Sequence, residues 1–226
     1  MGFALFMAPF FVIAFGPYEG ILLMNIGGAF SSALMFASVW RDVDWGRFWL
    51  LLLTSIPGAA VGAYVATQLN SAALQVLVGS LLLLGLISMQ LAGPVSRPST
   101  SRAGAVIAGV ASGFTNGTSG FGSPAIAIYG LLTHWPQRSF AATLQPLFIV
   151  MSLSALLLKT SISGEPPALD WWIYPAMLVL IVAGNALGEK VKGFFDEDVI
   201  RRLVIFLCYT GAIAATVSGL WKLVQA

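Results

Sequence analysis

One uncharged stretch of the chain carries residues that could bind a small anion. Residues 103–133 contain no charged side chain, and Gly, Ser, Thr and Asn residues interrupt them at 113–124. Such residues break a helix, and Pro124 suits the start of a second helix, where its missing N–H costs little. A helix start offers free N–H groups and the positive end of a dipole. The candidate binding residues are Asn116, Gly117, Thr118, Ser119, Gly120, Gly122 and Ser123. A tightly packed turn without a ligand is the alternative.

Two further polar residues lie within apolar runs and join the candidate site. Asn25 and Gln145 fall one residue from equivalence when the two halves of the chain are compared at an offset of 119. Each alone is typical of an interhelical hydrogen bond, whereas together they are expected to line a pocket. No Asp, Glu, Lys or Arg lies in the middle of an apolar run, so we expect no buried carboxylate proton relay.

A serine-protease interpretation of the same stretch is weaker. Gly117-Thr118-Ser119-Gly120 matches the GxSG sequence of rhomboid-type intramembrane proteases, and His134 is the only histidine. The nucleophile needs an imidazole within hydrogen-bond reach, but His134 stands beside Trp135 at a predicted membrane surface. We therefore expect no enzyme. The single cysteine, Cys208, gives no metal-type spacing, so we expect no metal and no cofactor.

The composition identifies the class of protein in which these residues are placed. Of 226 residues, 58% are hydrophobic and 9% are charged, against about 25% charged in soluble proteins. So few charges cannot cover a water-soluble globule, and no basic stripe is present to bind nucleic acid. The composition predicts an all-α, polytopic integral membrane protein whose surroundings are the lipid bilayer.

Apolar runs long enough to cross a hydrocarbon core of about 30 Å predict the membrane spans. Residues 2–14 are too short to cross alone, and we expect them to be the second part of an element that begins earlier. Charged residues fall at the ends of the runs or between them, and tryptophans flank the connections. The predicted spans are roughly 20–40, 48–67, 72–92, 140–158, 171–188 and 199–221.

The two halves of the chain resemble each other. Asp44-Trp45 and Asp170-Trp171 are 126 residues apart, and the same offset relates Gly58 to Gly184 and Gly62 to Gly188. Glycines at i and i+4 allow a neighbouring helix to approach closely. We predict one transmembrane domain, 1–226, made of repeats 1–92 and 103–222 with a linker at 93–102, the first repeat being truncated at its N-terminus. Chance similarity in a glycine-rich apolar chain is the alternative.

The distribution of basic residues favours a hairpin at 103–133. If this stretch enters and returns, as a re-entrant hairpin or as two short crossings, nine of the 11 Lys and Arg residues share one face and Lys159 and Lys222 lie on the other. A single crossing divides them six to five and gives no positive-inside signal. The hairpin makes the repeats inverted, each with about three spans and a broken or re-entrant hairpin.

These residues and their order resemble the sulfite exporter TauE/SafE family of membrane transporters. The similar segments are 113–117, 120–124 and 136–143 in the second half, and 2–4, Pro9, 43–45, 57–58 and Gly62 in the first. The resemblance implies a multi-pass permease of the inner cell membrane for small anions, often sulfite or organosulfonates. It carries the family's glycine motif onto Gly117, Gly120 and Gly122.

Two functions follow from these observations. The first is secondary transport of a small anion, of a sulfur oxyanion or organosulfonate type, through a cavity between the repeats. The second, suggested by the incomplete first repeat, is a non-transporting membrane subunit or assembly factor. The identity of the substrate, the direction of transport, a coupling ion and a homo-oligomer stay open at this point.

Overall fold

The computed structural model describes residues 10–91, 101–163, 170–191 and 197–225, and its regular elements there are helices. Parts of the expected first element (2–14) and of the linker (93–102) lie outside the described residues. A short 3₁₀ turn, Trp40–Asp42, connects the helices Pro17–Val39 and Trp45–Gln68. The helices are α1 (10–15), α2 (Pro17–Val39), α3 (Trp45–Gln68), α4 (Ser71–Leu91), α5 (Arg102–Ser119), α6 (Ser123–Leu132), α7 (Gln137–Ser163), α8 (Ile173–Val191) and α9 (Glu197–Gln225).

Within the described residues, five helical stretches are long and apolar enough to cross a membrane. The shorter apolar helices are Ser123–Leu132 and Ile173–Gly184. The prediction of an all-helical polytopic membrane protein is thereby confirmed for the part of the chain described. The five long stretches are Pro17–Asp42, Trp45–Gln68, Ser71–Leu91, Gln137–Ile162 and Ile205–Gln225.

Short polar residues set where several helices begin. The Asp44 carboxylate accepts a hydrogen bond from the Arg47 N–H at 3.0 Å, and the Asn70 side chain accepts one from the Ala73 N–H at 2.8 Å. Each satisfies an N–H that the first turn of a helix leaves without a partner. The sequence pattern at Asp44 and Asn70 therefore acts as an N-cap for α3 and for α4.

Contacts at the start of α7 establish how the first helices run. The Asp44 N–H donates to the Thr143 hydroxyl at 2.9 Å, and the Arg138 guanidinium lies 2.8 Å from the Asp42 carboxylate. The first turns of α7 thus lie beside the α2–α3 connection. It follows that α7 runs parallel to α3 and antiparallel to α2.

Glycines bring the backbones of α3 and α5 into direct contact. A Cβ at Gly58 or Gly62 would overlap a carbonyl oxygen of α5, and one at Gly113 or Gly117 would overlap a carbonyl oxygen of α3. The positions in contact increase together along both helices, so α5 is parallel to α3. This is the close approach that the small-residue faces predict.

The last two helices, α8 and α9, pack against α2 and α4 respectively. A Cβ at Gly79 of α4 would lie 2.8 Å from the Thr216 nitrogen of α9, and the Lys222 ammonium donates to Gln75 at 3.1 Å. These pairs make α9 antiparallel to α4. Met177 and Ile181 of α8 pack in one cluster with Leu23 of α2.

The charged residues divide between the two ends of the bundle. We call the end that carries the α2–α3 connection the basic end, because the start of α5, the start of α7 and the start of α9 lie there too. Lys159 and Lys222 lie toward the opposite end. Among the described residues, the basic end holds Arg41, Arg47, Arg102, Arg138 and Arg202.

Residues related by the predicted repeat do not have equal surroundings. Gly58 is pressed against α5, whereas a Cβ at the related Gly184 of α8 would meet nothing within 4 Å. Helices related by the offsets do contact each other, namely α2 with α7 and α4 with α9. The repeat stays a prediction, and at this position its two halves differ.

Candidate functional site

The segment 102–135 enters the bundle and returns to the same end. α5 begins at the basic end and runs beside α3, and α6 runs back, with Gly122 against Ser112 and Gly104 near Tyr129. After α6, the Trp135 ring lies 4.5 Å from the Arg47 guanidinium, again at the basic end. The chain therefore has neither one unbroken helix here nor two full crossings, since the ten residues of α6 span only about 15 Å.

Glycine makes the reversal possible at the tip of this hairpin. Gly120 has a φ of 70°, in the left-handed region, and its N–H donates to the Asn116 carbonyl at 2.8 Å. This conformation at a helix end is one that glycine adopts without strain. A Cβ at Gly120 would also lie 2.9 Å from the Met24 Cβ of α2. The Ser112 hydroxyl donates to the Gly122 carbonyl and holds the start of α6 against α5.

Three polar side chains near this tip have atoms without a hydrogen-bond partner. The atoms are Asn116 Nδ2, Ser123 Oγ and Asn25 Oδ1, and their residues are 2%, 4% and 1% exposed. The Asn25 amide nitrogen donates to the Ile21 carbonyl at 2.9 Å, which leaves its oxygen free. A buried polar atom without a partner costs about 1–3 kcal/mol, so we expect water or a solute to supply a hydrogen-bond partner for these atoms.

The same residues lie around the turn between α5 and α6. The Asn116 Cβ is 3.1 Å from a Cβ built on Gly122, and Ser123 is the next residue. The Asn25 amide donates to the Ile21 carbonyl at 2.9 Å, and that carbonyl oxygen is 3.4 Å from a Cβ built on Gly120. The N-terminus of α6 points into this region, and its Gly122 N-cap provides no side-chain hydrogen bond. We call Asn25, Asn116, Gly120, Gly122 and Ser123 the hairpin-tip cluster.

Three other predicted site residues of α5 are engaged within the fold. Gly117 packs against Ala59 of α3. The Thr118 hydroxyl donates to the Phe114 carbonyl at 2.8 Å, and the Ser119 hydroxyl donates to the Thr115 carbonyl at 2.6 Å. Their polar atoms are therefore satisfied by their own helix.

Gln145 lies away from the hairpin-tip cluster. It is two residues after Thr143, which bonds to Asp44 at the basic end, and its amide donates to the Ala141 carbonyl at 2.9 Å. The structure therefore does not bring Gln145 together with Asn25, although the repeat relates them. Residues equivalent in antiparallel helices lie on opposite sides of the bundle centre, which explains the separation.

The cavities beside the hairpin are apolar. One of about 550 Å³ lies between α3 and α5, and one of about 180 Å³ lies between α4 and the hairpin. Thr115, Phe121 and Pro124 line the smaller one, while Asn116 and Ser123 line neither. The polar cavity expected from the sequence is therefore not open in this conformation, in which the hairpin-tip cluster is buried.

The histidine lies far from the serine that the protease interpretation requires. His134 is exposed at the basic end, with a φ of 48°. Ser119 is fully buried at the other end of α6, about 15 Å away along that helix. This geometry holds no hydrogen-bonded pair of nucleophile and base.

Lys159 is a buried charged residue that sequence reasoning placed at the membrane surface. α7 continues to Ser163 beyond the predicted span end at 158, and the structure buries Lys159 completely. Within the part of the chain that the structure describes, its Nζ has no hydrogen-bond partner. The available signal was its spacing of seven residues from Ser152, which puts both on one face of a helix.

Comparison with known proteins identifies the family. No curated protein and no solved structure matches the chain significantly. The sequence profile described as Sulfite exporter TauE/SafE matches residues 1–215 of the 226. Members of this family are membrane transporters and not enzymes, in agreement with the apolar helices long enough to span a membrane. The chain therefore belongs to the Sulfite exporter TauE/SafE family.

Proposed function

We propose that this protein is a secondary transporter that carries a small oxyanion, of the sulfite or organosulfonate type, across the inner cell membrane. The anion binds at the hairpin-tip cluster. Family membership supports membrane transport of this kind, and the buried polar atoms at the reversal of α5 into α6 support the site.

The donors of the cluster suit an oxyanion. Asn116 Nδ2 and the Ser123 hydroxyl each have a hydrogen to donate and no acceptor among the described residues. The N-terminus of α6 adds free N–H groups and the positive end of its dipole. A sulfite or sulfonate group offers three oxygens that accept such bonds. Asn25 Oδ1 is an acceptor, so it suits a protonated oxygen such as that of hydrogensulfite.

The observation that carries the proposal is the pair of unpartnered donors, Asn116 and Ser123, which are 2% and 4% exposed. Natural proteins rarely leave buried donors unpaired, and such groups occur at functional sites. Because the cluster is closed in this conformation, transport requires another conformation in which the cluster opens to one side of the membrane.

Flux measurements on reconstituted protein test the site. Proteoliposomes are loaded with radiolabelled sulfite or with methanesulfonate, and saturable flux is compared in the wild type and in Asn116→Leu. Thr115→Val is the matched control, because the Thr115 hydroxyl already donates to the Ala111 carbonyl of its own helix. We expect flux in the wild type and the control and its loss in Asn116→Leu. Equal flux in all three proteins would show that Asn116 is not part of the binding site.

A second candidate function is that of a non-transporting membrane subunit. It is favoured by α8, where a Cβ at Gly184 would meet no atom of the described residues within 4 Å, which leaves room for the helix of another protein. Co-purification of a stoichiometric partner, together with no flux of either anion, would support this function over transport.

A further inference from the structure

Lys159 is an ionisable residue buried inside the protein, and no described residue forms an ion pair with it. Its side chain is 0% exposed, and its Nζ has no hydrogen-bond partner among the described residues. A buried charge without a partner is expensive, and an ionisable residue within a membrane span marks a functional site by default.

The contact between α7 and α2 locates Lys159 along the bundle. The Ser152 hydroxyl oxygen lies 3.7 Å from a Cβ built on Gly28. Lys159 is two turns further along the same face of α7. Because the helices are antiparallel, two turns from Gly28 on α2 is Ile21. The Ile21 carbonyl is 3.4 Å from a Cβ built on Gly120 at the tip of the hairpin.

The contact between α7 and α3 gives an independent estimate. Leu52 of α3 shares a buried cluster with Leu147 and Met151 of α7. These helices are parallel, so ten residues further along brings α3 to Gly62 and α7 to 157–161, the turn that contains Lys159. Gly62 packs against α5, where a Cβ would lie 3.1 Å from the Thr118 nitrogen. Both helices thus put Lys159 at the level of the hairpin tip.

We propose that the Lys159 ammonium is the counter-charge for an oxyanion held at the hairpin-tip cluster. This inference rests on the proposed function and adds the residue that selects for charge. Asn116 and Ser123 are neutral donors, which bind a neutral sulfone-type group as well as a sulfonate. A cation at the same depth favours the charged solute, because its interaction with an anion is strong where water is excluded.

The other charged groups described near the hairpin tip do not replace Lys159 as the counter-charge. Glu19, in the first turn of α2, already has an interaction of its own. Lys222, the other lysine described toward this end of the bundle, is exposed on α9 and donates to Gln75 at 3.1 Å. Lys222 therefore serves as the matched control for Lys159.

The test compares an anion with a neutral molecule of the same shape. Methanesulfonate and methanesulfonamide are offered to proteoliposomes containing the wild type, Lys159→Met, Lys159→Arg or Lys222→Met. We expect Lys159→Met to raise the KM for methanesulfonate at least about tenfold and to lose the preference for the anion. Lys159→Arg keeps the preference, and Lys222→Met behaves as the wild type.

Thermal unfolding in detergent separates this role from a structural one. Removing a buried charge that has no partner does not destabilise the fold, so Lys159→Met is expected to unfold at the wild-type temperature or above it. In the wild type, methanesulfonate raises the unfolding temperature and methanesulfonamide does not. Lys159→Gln, a second variant, is expected to lose that difference.

Two results would overturn the inference without touching the proposed function. One is an unchanged KM and anion preference in Lys159→Met while Asn116→Leu still loses flux. The other is a lower unfolding temperature in Lys159→Met that Lys159→Arg restores, with methanesulfonate binding unaltered. Absence of sulfite and methanesulfonate flux in the wild type would instead refute the proposed function, and the inference with it.

Discussion

Two serines at the hairpin tip show how differently similar residues are used. Ser119 donates to the Thr115 carbonyl at 2.6 Å, as serines inside helices often do. Ser123 begins α6, and its hydroxyl has no partner although the residue is 4% exposed. The free hydroxyl is therefore the one that follows the turn, and the bound solute is expected to use it.

Substituting each serine by alanine tests this difference. Ser123→Ala is expected to raise the KM for sulfite roughly tenfold, because one hydrogen bond to a charged group is lost. Ser119→Ala, which removes a hydroxyl already bonded within α5, is expected to leave the KM nearly unchanged. Flux into proteoliposomes measures both. A larger effect from Ser119→Ala would move the site to the α5 side of the turn.

Asp44 has a structural role that can be tested in the same way. Its carboxylate caps α3 through the Arg47 N–H at 3.0 Å. Asp44→Ala is expected to lower the free energy of unfolding by about 1 kcal/mol, whereas Asp44→Asn retains the cap and most of the stability. Thermal unfolding of the purified protein measures the change, and equal destabilisation by both variants would show that the charge matters more than the cap.

At the scale of helices, α3 and α5 form one tightly joined pair. Glycines of each helix, such as Gly58 and Gly113, lie against carbonyl oxygens of the other along several turns. No side chain separates the backbones at these points. Any added methyl group has to push the helices apart, since backbone atoms cannot move aside as a flexible side chain can.

The predicted repeat supplies a matched pair of glycines for a stability experiment. Gly58→Ala is expected to destabilise the protein by about 1–3 kcal/mol, because a Cβ there overlaps the Val110 carbonyl. The related Gly184→Ala is expected to be neutral or slightly stabilising, since its Cβ meets nothing within 4 Å and alanine favours helix. Thermal unfolding of both variants decides, and an equal loss would mean that α8 is also covered by a close neighbour.

The elements of this protein were largely predictable, and the free atoms of the site were not. Apolar runs indicate the helices, and Asp44 indicates a cap. The glycine spacing of α5 indicates the close packing. Each of these signals is local in the sequence. Whether Thr118 or Ser123 has a free hydroxyl depends on the final position of a turn. The burial of Lys159 depends on how far α7 continues and on what packs around it, which no short sequence pattern records.

At the scale of the whole molecule, the basic residues and the hairpin define an orientation. Among the described residues, arginines cluster at the basic end, where α5 begins and where His134 follows α6. Lys159 and Lys222 lie toward the other end. From the positive-inside rule we expect the basic end to lie in the cytoplasm. Both ends of the hairpin should then be accessible from that side.

Cysteine labelling tests this orientation. The only native cysteine, Cys208, is 3% exposed and is replaced by alanine to give a background. We expect Ser101→Cys and His134→Cys to react with a membrane-impermeant maleimide only from the cytoplasmic side, and Gln68→Cys only from the outside. Labelling of Ser101→Cys and His134→Cys from different sides would show that the segment between them crosses the membrane.

The backbone seam between α3 and α5 limits how the protein can move. A joint made of glycines against carbonyls is stiff, so α3, α5 and α6 are expected to shift together as one block. The tip of that block meets α2 at one glycine, Gly120, where a Cβ would lie 2.9 Å from the Met24 Cβ, whereas Gly58, Gly62, Gly113 and Gly117 all join α3 to α5. We therefore expect the passage by which a solute reaches the buried donors to open along α2, where fewer glycine contacts hold the block.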